Sequence, residues 1–166
     1  AAGGRPIVEV MIPLTVSDEE LALARSWIVT AAEELDITST LLIGTMIETP
    51  RAALVADRMA KVADFFSFGT NDLTQMTFGF SRDDVEAKMM PQYVANGLLP
   101  GDPFDSIDAD GVGELIRLAV QRGRSVKRRL KIGVCGEHGG DPRSIAFFLD
   151  ADVDYVSCSQ YRVPIA

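Results

Sequence analysis

The chain has 166 residues, 47% of them hydrophobic and 24% charged, with a formal net charge of −8; this is the balance of one globular domain with enough apolar residue for a core. The acidic field argues against nucleic acid or an anionic membrane as partner. Two cysteines, no signal peptide and no apolar run long enough to span a bilayer point to a cytoplasmic, reducing compartment and against a Cys135–Cys158 disulfide. The opening Ala-Ala-Gly-Gly reads as a cut end, so an organelle such as a plastid stays open, a transit peptide being lost with the missing start.

Pro6 to Thr15 is predicted as a short apolar strand. Ser17 followed three residues later by Glu20 is a capping box, opening a helix over about Asp18 to Leu35 with Leu21, Ala24, Ile28 and Ala32 on one face. Leu41 to Ile47 is the second strand and ends at Glu48. Thr49-Pro50 then begins a helix expected to run through Ala63, with proline where a missing N–H costs nothing. Phe65 to Phe68 is a strand whose apolar run stops at Gly69 and hands over to Thr70, Asn71 and Asp72.

From Thr77 to Asp110 the rhythm breaks, with Pro91, Pro100, Pro103 and several glycines and no sustained period. So long an excursion is expected to be functional or to carry short helices of its own. Gly113 to Val126 resumes helix, and the basic run Arg122 to Lys131 reads as its C-terminus, where cations complement the dipole. Lys131 to Val134 is a strand ending at Cys135, Pro142 to Leu149 a helix, and Tyr155 to Ser159 a last strand. Five strands alternating with helical segments mean an α/β fold with a parallel sheet. A whole (β/α)₈ barrel takes about 250 residues, so the chain is either an open sheet or the later part of a barrel.

Three strand ends carry reactive groups: Glu48, Gly69 to Asp72, and the run Cys135 to Gly140. In a parallel sheet these ends share one edge, so residues far apart in sequence converge. Two carboxylates, Glu48 and Asp72, without a cysteine or histidine run at zinc spacing, suit a hard divalent ion such as Mg²⁺; the alternative is that each only caps the helix after it. Cys135 is either inert packing or a reactive thiol set in a glycine-rich loop before the helix that Pro142 begins. Cys158, flanked by Ser157 and Ser159, reads as packing. His138 is the only histidine, and a role as acid or base stays open.

The stretches IETPRAAL, FGTNDLTQMTFGFSRDD, DPFDSID, GVGELI, GVCGEHGGDP and DYVSCSQYRVPIA together closely resemble the C-terminal part of the pyruvate, phosphate dikinase family, over nearly the whole chain. The related phosphoenolpyruvate synthases and sugar-transport phosphotransferase Enzyme I share the TND and CG cores, but MTFGFSRDD together with CGEHGGDP is not expected in them. The resemblance implies that residues 1–166 are the second half of a TIM-type barrel that binds phosphoenolpyruvate or pyruvate. It implies Glu48 and Asp72 as Mg²⁺ ligands, with Glu48, Gly69, Thr70, Asn71 and Asp72 as substrate contacts. Cys135 is implied as the acid/base at the enolpyruvate carbon.

The resemblance also implies a longer, homodimeric parent whose ATP-grasp domain, swivelling phosphohistidine domain and phosphate-clamping arginines are absent here. His138 is not that phosphohistidine. The chain alone is therefore not expected to turn over. The alternatives are a phosphoenolpyruvate synthase-like relative and a half-barrel module without activity of its own.

Overall fold

The computed structural model describes residues 6–37 and 39–166. Five strands, β1 (Ile7–Ile12), β2 (Thr40–Ile47), β3 (Phe65–Phe68), β4 (Lys131–Val134) and β5 (Tyr155–Val156), form one sheet. Every neighbouring pair is parallel and the spatial order β1-β2-β3-β4-β5 is the chain order. A doubly wound open sheet reverses its order at a switch point. No reversal occurs here, so the sheet is an arc of a β/α barrel, with β1 and β5 each paired on one side among the described residues.

The helices lie on one face: α1 (Asp18–Glu34), α2 (Pro50–Leu54), α3 (Ala56–Val62), α4 (Thr70–Phe78), α7 (Val112–Val126) and α8 (Pro142–Asp150), with α5 (Arg82–Val85) and α6 (Met89–Ala95) inside the excursion. In register, Ile47, Phe68 and Val134 form one row toward these helices and Phe66 and Ile132 another. They build the core with Leu21, Ala52, Ala56, Met59, Ala60, Ile116, Ala119 and Phe148. The opposite face is concave. Lys131 Nζ on β4 reaches both carboxylate oxygens of Glu9 on β1, at 2.8 and 3.0 Å, a chord over three strand intervals that span about 14 Å along the sheet.

Caps follow the sequence. Ser17 Oγ accepts from Glu20 N–H at 3.1 Å while Glu20 reaches back to Val16 N–H at 2.8 Å, a capping box displaced by one residue. Thr49 and Asp141 cap α2 and α8 through the N–H groups of Ala52 and Ser144, each with proline next in the helix.

Three expectations are corrected. The helix expected to run from Pro50 to Ala63 breaks at Val55 (φ −116°, ψ 26°), where Arg122 of α7 donates to the Leu54 carbonyl that the break releases. The last strand has two residues instead of five, and among the described residues it pairs with β4 alone. The first strand ends at Ile12, because Pro13 has no N–H for the ladder and Leu14 turns into the left-handed region at φ 54°.

The excursion has its own small core of Val85, Met90 and Phe104, with Phe80, Met89 and Leu99 packed on it. The basic run is spent on structure: Arg124 pairs with Asp152 and Asp154 and Lys127 donates to the Ala63 carbonyl. Among the described residues no helix is long and apolar enough to cross a membrane.

Candidate active site at the strand ends

Past the strand ends the ladder runs on for one more layer. Gly69 N–H donates to the Ile47 carbonyl at 3.3 Å, Cys135 N–H to that of Phe68 at 3.1 Å, and Ser157 N–H to that of Val134 at 2.8 Å. Side chains alternate along a strand, so Glu48, Gly69, Cys135 and Ser157 share one layer on the concave face. This is the carboxyl edge where parallel sheets hold ligands.

Glu48 is 1% exposed. Its Oε1 accepts the Leu14 N–H at 2.7 Å, which the positive φ of Leu14 aims inward. Burial pushes the Glu48 carboxyl above the ordinary range against that hydrogen bond, and the neighbouring Asp72 pushes it further. Gly69 is what lets Glu48 lie there: a Cβ on Gly69 would fall 2.1 Å from Glu48 Oε2. Asp72 comes from the first turn of α4, the end of the helix where a negative charge is favoured.

Two adjacent carboxylates, one of them buried, are relieved of their mutual repulsion by a shared proton or by a cation. Among the described residues no three His, Cys, Asp or Glu side chains come together as a cage. Two carboxylates with the remaining positions left to water and substrate oxygens are the donor set of Mg²⁺, not of structural zinc; Glu48 and Asp72 fit that ion.

Cys135 is a free thiol, as is Cys158, and there is no disulfide between them. Burial pushes the Cys135 thiol up, Ser67 opposes through a hydrogen bond, and Glu48 and Asp72 raise it again by repulsion. Its Sγ lies 3.5 Å from the Phe68 carbonyl. A cleft of about 430 Å³ opens on the β5 side of the thiol, lined by Cys135, Gly136, Ser157, Cys158 and Arg162 among others, so Cys135 stands between this cleft and the carboxylates.

Thr70 and Asn71 are brought to the layer but face the loop after β4. Thr70 is fully buried against His138, and Asn71 Oδ1 accepts the Glu137 N–H at 3.3 Å. His138 itself is enclosed, with both ring nitrogens engaged, and is not open to the concave face. Sequence reasoning passed over Ser67 and Tyr155. Both lie on the concave face beneath Cys135, Ser67 within hydrogen-bonding reach of the thiol and Tyr155 close enough to feel its charge. The signal was present, since Ser67 is the single polar residue of the strand FFSF and sits where the register faces the layer.

The model of the family described as PEP-utilising enzyme, PEP-binding domain, matches residues 2–166, and the chain belongs to that family. Within it, the chain is similar to plant pyruvate, phosphate dikinases. It is 55% identical to the chloroplastic pyruvate, phosphate dikinase of Mesembryanthemum crystallinum over 168 residues, covering 99% of this chain and 18% of that protein. It is 55% identical to the chloroplastic pyruvate, phosphate dikinase 1 of Arabidopsis thaliana over 164 residues, 96% of this chain and 17% of that protein. Against pyruvate, phosphate dikinase 2 of Zea mays identity is 56% over 162 residues, 95% of this chain and 18% of that protein. The chain thus spans less than a fifth of the length of these relatives.

Proposed function

We propose that this chain is the C-terminal portion of the phosphoenolpyruvate/pyruvate-binding barrel of a pyruvate, phosphate dikinase, which interconverts ATP, pyruvate and phosphate with AMP, phosphoenolpyruvate and pyrophosphate. The observation that carries the reading is the convergence of Glu48, Asp72 and the Cys135 thiol, drawn from three strand ends, at one edge of the sheet. The 52–56% identity to dikinases over nearly all of the chain supports the reaction class. The share of each relative covered is in keeping with a portion of a larger dikinase.

Glu48 and Asp72 would hold Mg²⁺, which supplies stabilisation of the charge that develops on the substrate's carboxylate and enolate oxygens. Cys135 moves the proton. Raised by burial, the thiol stays protonated near neutral pH and gives its proton to the methylene carbon of the enolate. In the opposite direction the thiolate takes a methyl proton from pyruvate. Gly69 leaves the room that the Glu48 carboxylate fills, and Ser67 stands within hydrogen-bonding reach of the thiol.

Calorimetric titration with oxalate, a mimic of the pyruvate enolate, tests the site on this chain and on Asp72→Ala. Mg²⁺-dependent binding that weakens at least about tenfold in the variant, the loss of one charged ligand, is expected. Binding that ignores Mg²⁺, or that survives unchanged in Asp72→Ala, would overturn the assignment.

A further inference from the structure

We infer that His138 is a positioning residue of the strand-end site: a buried neutral imidazole that fixes the Cys135 loop against α4 and the excursion, and holds the Thr70 hydroxyl proton away from any ligand.

His138 Nε2 lies 2.8 Å from the Pro103 carbonyl and Nδ1 lies 2.8 Å from Thr70 Oγ1, with the residue 0% exposed. A carbonyl can only accept, so Nε2 carries the hydrogen. Burial favours the neutral ring, whose Nδ1 is then a bare acceptor, and the Thr70 hydroxyl must donate to it. Thr70 can still accept a hydrogen bond through that oxygen but cannot donate one to a ligand.

The neighbouring residues tighten the same joint. A Cβ on Gly136 would sit 1.9 Å from Thr70 Oγ1. Glu137 N–H donates to Asn71 Oδ1 at 3.3 Å, and its carboxylate pairs with Arg82 of the excursion at 3.0 Å. Each of the three residues after Cys135 is therefore engaged by α4 or the excursion, while the Cys135 N–H is fixed to Phe68. The imidazole is the one side chain of this loop that touches both partners at once. It thereby sets where the thiol stands relative to Asp72 on the same first turn of α4.

The inference bears on function through the reading of Cys135 given above, but its test needs neither ligand nor turnover. In a Cys158→Ser background, alkylation of Cys135 by iodoacetamide is timed at fixed pH, with folding checked by circular dichroism. His138→Phe and Thr70→Val should each speed alkylation by about fivefold or more, through local opening of the loop. Their combination should add less than about twofold, because both break one linkage. His138→Gln, whose amide can donate to Pro103 and accept from Thr70, should stay within about twofold of the parent.

Nitrogen-15 spectra of the unsubstituted chain should show the Nε2–H tautomer, and this measurement with Thr70→Val suffices should His138→Phe fail to fold. Parental alkylation rates in both folded variants, an additive double variant, or an Nδ1–H tautomer would overturn the inference. Loss of oxalate binding with these results intact would count only against the functional reading.

Discussion

Gly69→Ala isolates the packing on which the acidic layer depends. The new Cβ would fall 2.1 Å from Glu48 Oε2, 2.7 Å from Glu48 Cβ and 2.8 Å from Met46 Cε, the first more than an ångström inside ordinary van der Waals contact. The Met46 methyl can swing aside. Glu48 cannot do so freely, because it is buried and its other oxygen is held by Leu14 N–H. Overpacking of this kind costs about 1–3 kcal/mol, and releasing a hydrogen bond to a charged group adds about 1.5–3 kcal/mol. Together, about 2.5–6 kcal/mol lowers the melting temperature by about 5–24 °C for a domain of this size. Gly101→Ala is the control, since nothing lies within 4 Å of its Cβ, and should shift stability by less than about 0.5 kcal/mol. Thermal melts followed by circular dichroism compare the two. A Gly69→Ala melt within about 2 °C of the parent would refute the tight Gly69–Glu48 contact and with it the account of why glycine stands there.

Two further outcomes follow from the charges. Because burial raises the Glu48 carboxyl above its unfolded value, its stabilising contribution is full below the ordinary glutamate range and lost as pH rises through the raised value. In urea unfolding with EDTA present, Glu48→Gln should therefore gain on the parent between about pH 4 and pH 7; a pH-independent difference would count against the buried acidic pair. Asp64 behaves oppositely: burial pushes it up, but the Ile43 N–H and Arg25, each at 2.8 Å, outweigh that and hold it low. Its contribution is present above the ordinary aspartate range and lost as pH falls through the lowered value. Asp64→Asn should cost about 2 kcal/mol near neutrality, with the difference shrinking below about pH 4 in acid unfolding curves; a constant difference would sink the assignment.

The three central strands and their shared edge could be read from the sequence because β2, β3 and β4 are apolar runs of four to eight residues closed by Glu48, Gly69 and Cys135. Such runs bury on both faces only in a parallel sheet, and a parallel sheet forces their ends together. What escaped the reading was decided by partners distant in sequence. The break at Val55 is met by an arginine 68 residues beyond Leu54, whose carbonyl it takes up. The roles of Thr70 and His138 turn on a contact across the same separation and on the carbonyl of Pro103, neither of which the local sequence announces. Leu14 could not be foreseen as a donor to Glu48, since a branched residue at positive φ runs against local preference. Ser67 was visible as a lone polar residue but gained meaning only from register.

The concave face is floored. A Cβ on Gly44 would meet the Phe65 ring at 2.6 Å and one on Gly133 the Tyr155 ring at 2.1 Å, so each ring lies flat in the hollow its glycine leaves, below the layer of Glu48 and Cys135. Lower still, Lys131 stands 5.0 Å from the centre of the Tyr155 ring while it bridges to Glu9. With the hollow floored in this way, a molecule that reaches the thiol comes over the strand ends or along the cleft on the β5 side, and not from beneath the rings.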